Sequence, residues 1–103
     1  MDDPAKPTYT ASQWAAPGSV DIRAKGKERT SGYAHRLVQL PLDVSPPRFR
    51  FERIAPKGAT RDVVTPYDVT ASFFAPALVI RKIHIEDAWG GEDVLVMLPP
   101  GNP

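Results

Sequence analysis

The sequence has no cysteine among its 103 residues. That excludes disulfide staples, thiolate metal sites and cysteine nucleophiles together. Histidine is scarce: His35 and His84 are far short of the four Cys/His ligands of a structural zinc site. No apolar run approaches the roughly 20 residues of a membrane-spanning helix. No proline-free segment longer than about ten residues carries a 3.6-residue apolar stripe of core width. Ser12, Ser19, Ser31, Ser45 and Ser72 lie in no Gly-x-Ser-x-Gly elbow, and neither a phosphate-cradling glycine loop nor calcium-loop spacing occurs. The opening Met1-Asp2-Asp3-Pro4 lacks the basic start and apolar stretch of a secretory signal. The expectation is therefore a virion component if the chain is viral, and a cytoplasmic protein otherwise.

What the chain has is proline, glycine and β-formers. At 42% apolar and 24% charged it is too apolar for a disordered tail, and its length suits one small domain. Twelve Pro and seven Gly suit strands joined by turns better than a helical bundle.

Residues 1–19 read as an extended arm, punctuated by Pro4, Pro7, Pro17 and Gly18, with Tyr9 and Trp14 as its large apolar side chains. Two readings stand side by side for these rings: anchors on a neighbouring surface, or rings folded back onto the chain's own core. Residues 20–103 read as a single β-domain. Val20–Arg23 is a short strand, Ala24–Gly32 a basic loop, and Tyr33–Leu42 a strand whose Pro41 puts its end at a sheet edge or bulge. Arg48–Ile54 alternates most clearly, with Phe49 and Phe51 on one face and Arg48, Arg50 and Glu52 on the other. Val69–Pro76 is a partly buried segment. Leu78–Ile85 and Asp93–Leu98 flank the Gly90-Gly91 turn and read as a hairpin, Ile83 and Ile85 inward. The second hairpin strand is apolar on both faces, which predicts a central strand or one covered on both sides. The fold class is all-β: a small sandwich or barrel, a jelly roll among the topologies open to it, with the Pro-rich N-terminal arm extended.

Charge is segregated along the chain. Residues 1–22 carry three acids and one base, residues 23–61 ten bases and three acids, and residues 62–103 six acids and two bases. Such a split either builds a basic and an acidic face or is mixed by folding.

Candidate chemistry is thin. His84, Glu86 and Asp87 are a conceivable metal fragment, but the pattern reads better as the solvated face of a strand. Glu86-Asp87 and Glu92-Asp93 flank the hairpin turn, and adjacent strand residues point to opposite faces, poor geometry for an acid–base pair. No catalytic residue, metal site or cofactor is assigned. Arg48 and Arg50, alternating with Phe49 and Phe51, suggest a nucleic-acid strand, yet the period turns the rings away from the arginines. The expected function is a non-enzymatic structural protein of a larger assembly, such as a capsid-decorating or cementing protein of a virus or phage particle. Its expected partners are protein subunits, copies of itself among them, with no membrane, met through Tyr9, Trp14, Arg48 and Arg50. The alternative is a nucleic-acid-associated β-module using residues 23–61.

Overall fold

In the fold, the two-residue period of the sequence becomes an inside and an outside. The computed structural model describes residues 5–13, 18–41, 46–75 and 80–97, and among these it is all-β. Its strands are β1 (Thr8–Gln13), β2 (Gly18–Glu28), β3 (Ala34–Gln39), β4 (Arg48–Ile54), β5 (Thr65–Ala75), β6 (Lys82–Glu86) and β7 (Glu92–Met97). They form one sheet in the order β3-β4-β6-β7-β1-β2-β5. The edge strands β3 and β5 approach each other, so the sheet curls into a nearly closed barrel.

The interior is filled by alternate residues: Tyr9 and Ala11 from β1, Val20, Ile22 and Ala24 from β2, Phe49 and Phe51 from β4, Ile83 and Ile85 from β6, Val94 from β7. Fully burying one such large side chain stabilises a fold by about 1.5–3 kcal/mol. Phe49, Ile22, Ile83 and Ile85 are the largest apolar side chains wholly out of solvent. Leu37, Tyr67, Val69, Ala71 and Phe73 close the core from the two edge strands.

Pairing is uneven around the barrel. β2 and β5 are antiparallel over their full lengths, from Gly18↔Ala75 to Glu28↔Thr65. By contrast, β4 meets β6 in parallel at Arg48↔His84, Phe49↔Ile85 and Arg50↔Glu86. β1 meets β7 in parallel at Ala11↔Val96 and Ser12↔Met97. The β6–β7 hairpin pairs Lys82↔Leu95 through Ile85↔Glu92 around Gly90-Gly91, as the sequence predicts.

Two expectations are revised. Thr8–Gln13, read as part of an arm, is a strand inside the sheet, hydrogen-bonded to β2 and β7 on its two sides. Residues 1–4 and 14–17 of that arm lie outside the described residues. Ala24–Glu28, read as loop, continues β2, because full-length pairing with β5 outweighs its polar composition. β7 is central, the first of the two arrangements its apolar run predicts, and one of its faces is open: Leu95 is 77% and Met97 62% exposed.

Two loops straddle the gap between β3 and β5, one joining β2 to β3 and the other β4 to β5. They are tied where the Ser31 amide donates to the Arg61 carbonyl (3.0 Å) and the Arg61 amide donates to Ser31 Oγ (3.1 Å). Gly32 permits this approach: its φ is +91°, and a Cβ there would stand 2.9 Å from Pro56 Cβ.

Candidate functional site

The period that carries Val20, Ile22 and Ala24 inward on β2 also carries Glu28 inward, and on β4 it places Arg53 in phase with Phe49 and Phe51. Glu28 is thereby placed inside one end of the barrel, with Arg53 at the partly exposed rim. Glu28 is 2% exposed. Its Oε2 accepts from Arg53 Nε at 2.7 Å and its Oε1 from Arg53 Nη2 at 2.6 Å, a bidentate pair. His35 Nε2 lies 2.6 Å from Glu28 Oε2. A carboxylate offers only acceptors, so the ring nitrogen donates. Burial by itself pushes the Glu28 carboxyl up, but the hydrogen bonds from Arg53 and His35 outweigh it and hold the group below the usual carboxylate range.

Aromatic rings surround this cluster. The His35 ring stacks on Tyr67 with centroids 3.8 Å apart and planes 13° apart, and on Phe51 at 5.8 Å. Arg53 sits over the Tyr33 ring, 4.4 Å from its centroid. Tyr67 donates its hydroxyl to the Ala5 carbonyl at 2.5 Å. Glu28 and the His35 ring are shielded, while Arg53 reaches in from a partly exposed rim, its side chain 32% exposed. Chemically the group can hold strands together.

At the opposite end Gln13, also wholly buried, accepts the Ile80 amide on its side-chain oxygen at 2.9 Å. No buried side-chain polar atom among the described residues is left without a partner.

The residues expected to meet partners divide as follows. Tyr9 is 8% exposed and belongs to the interior, edge-on to Phe51 at 6.1 Å. It donates its hydroxyl to Asp87 Oδ2 at 2.7 Å. The role of a partner-facing anchor is therefore replaced, for Tyr9, by its other reading, a ring in the chain's own core. Trp14 lies outside the described residues. Arg48 and Arg50 lie on the outer side of β4 as expected, beside carboxylates: Arg48 Nη2 is 3.3 Å from Glu86 Oε2, and Arg50 Nη1 is 4.0 Å from Glu52 Oε2. Arg23 likewise pairs with Asp68, Arg36 with Glu52 and Lys82 with Asp93. Two of these pairs, Arg48 with Glu86 and Arg23 with Asp68, bring bases of the middle segment against acids of the last one.

His84 and Glu86 share the outer face of β6, and His84 Nδ1 contacts Asp93 Oδ1 at 2.8 Å. Among the described residues no three His, Asp or Glu side chains converge as a metal site would require. Asp87 is committed locally: besides Tyr9, its Oδ1 accepts the Trp89 and Gly91 amides, each at 2.9 Å, which fixes the hairpin turn.

The outward apolar surface is the other distinct feature. Leu95 and Met97 stand on the outer face of β7, with Lys82 opposite Leu95 and Ser12 opposite Met97. Beside them, Thr10, Ser12, Asp21, Arg23, Thr70 and Ser72 line a shallow open trough of about 570 Å³ across β1, β2 and β5. The sequence shows Leu95 and Met97 as apolar but does not show that their face is open.

Comparison with protein-family models, curated proteins and solved structures finds no match for this chain.

Proposed function

We propose that the chain is a non-enzymatic interaction protein of a larger assembly, binding neighbouring protein subunits, copies of itself included, through the outer face of β7. A capsid-decorating or cementing role in a virus or phage particle is the form of assembly this reading favours. The observation that carries it is the exposure of Leu95 and Met97 at the middle of the sheet, where a strand flanked on both sides would ordinarily turn polar groups to solvent. Methionine and large apolar groups are what interface cores concentrate. The interior charges support the same reading, since Glu28, His35 and Arg53 are committed to one another.

Sedimentation velocity over a concentration series tests the proposal. The expected result is mass that rises with concentration, and a Leu95→Glu/Met97→Glu variant that stays monomeric with an unchanged melting temperature. A monomer throughout, with the variant indistinguishable from the parent, would overturn it. Oligonucleotide binding that falls steeply with salt and disappears in Arg48→Gln/Arg50→Gln would install the nucleic-acid module instead.

A further inference from the structure

The β3–β4 hairpin is attached to the rest of the barrel unequally. On one side, β4 is joined to β6 by the short parallel ladder at Arg48, Phe49 and Arg50. On the other, β3 faces β5 across the seam, and the two are the unpaired ends of the sheet order. The directional bonds that cross from this hairpin to the β2–β5 side converge on Glu28. Its carboxylate takes two bonds from Arg53 on β4 and one from His35 on β3, and the His35 ring lies flat on Tyr67 of β5.

We propose that Glu28 is a proton-released clasp, and that the paired strands β3 and β4, Ala34–Gln39 and Arg48–Ile54, are the flap it holds shut over the barrel interior. When the carboxylate gains a proton from solvent, one of its oxygens becomes a donor, facing groups that are themselves donors. The bidentate pair with Arg53 and the bond from His35 cannot both survive. The Arg53 guanidinium then faces a neutral acid where it had a bridging anion. Loss of one partner from a buried pair is far costlier than loss of an exposed one. The surrounding groups do not replace the lost charge: Tyr67 from β5, Tyr33 from the β2–β3 loop and Phe51 from β4 face the cluster with rings, and Tyr9 from β1 has its hydroxyl on Asp87. Glu52 and Glu86 lie on the outer face of the sheet with Arg36 and Arg48.

The flap also buries Phe49 and Phe51, so the open form is a minor state whose population the clasp sets. Opening would uncover the core side of β5, where Phe73 packs against Phe49 at a centroid distance of 5.7 Å. This inference goes beyond the docking role of β7 and stands whether or not that role does.

Amide hydrogen exchange of the intact chain, expressed as protection factors from neutral pH to below the usual carboxylate range, where Glu28 is held, tests it. The expected result is a fall of roughly a hundredfold in protection of β3 and β4, while β1, β2 and β5 keep theirs. Glu28→Gln is expected to show the unprotected hairpin already at neutral pH, with no further acid step there. Loss of β3 and β4 protection only together with β1, β2 and β5, in one global step, would overturn the proposal. So would a Glu28→Gln chain that keeps the acid step. Should that variant not fold, the pH series on the parent chain decides alone.

Discussion

Tyr67 lies directly across the sheet from Gly26, and its ring occupies the space that a side chain at position 26 would need. A Cβ built on Gly26 would stand 2.3 Å from the Tyr67 hydroxyl oxygen and 2.6 Å from Cζ. A ring covering a cross-strand glycine restores the packing that the glycine alone would lack. Here it also carries the stack on His35.

Gly26→Ala is therefore expected to destabilise the fold by about 1–3 kcal/mol, the usual cost of overpacking a filled site. Chemical denaturation of the variant measures it. Tyr67→Leu in the same background should recover part of the loss, because a shorter side chain vacates the contested space.

Truncation is a second test. Deleting residues 1–13 removes β1, which is bonded to β2 on one side and to β7 on the other. The expected outcome is loss of the cooperative thermal transition. A truncated chain that still melted as a unit would return Tyr9 to the role of an arm residue.

The Tyr9 hydroxyl gives a pH prediction. Burial pushes its pKa far up from the ordinary 10.0, and the hydrogen bond to Asp87 and that residue's charge push it the same way. A group whose pKa rises on folding leaves stability unchanged below its unfolded value. Above about pH 10 the unfolded chain ionises and the folded one does not, so stability falls by about 1.4 kcal/mol per pH unit for that proton. Tyr9→Phe should cost about 1–2 kcal/mol at neutral pH and give a shallower alkaline slope by one proton. Equal slopes for the two proteins would place the Tyr9 hydroxyl in solvent.

The sequence was legible where local pattern and final environment agree. Arg48–Ile54 reads as a strand because each residue's face is already written in the alternation, and the β6–β7 hairpin because its turn glycines sit between two β-rich runs. Thr8–Gln13 was hidden: Thr-Tyr-Thr-Ala-Ser-Gln is mostly polar, and its strand character comes from neighbours distant in the chain. Glu28 and Arg53 were hidden for the opposite reason. Their phase was available, two residues apart from the inward positions, but their charge argued for solvent until each supplied the other's counter-ion. The open face of β7 depends on what packs over it, which no local pattern records.

The parallel pairing of β1 with β7 has a consequence for the order of events during synthesis. β7 is the last of the described strands to leave the ribosome, and its neighbours are β1, made first, and β6, made just before it. Until it emerges, β1 and β6 each keep a free edge, the kind of surface on which nascent chains mispair. The sheet cannot assemble in this order before β7 is free to pair. Assembly then proceeds at a speed set by long-range pairing, and a chaperone that shields free strand edges would matter most in the interval before it.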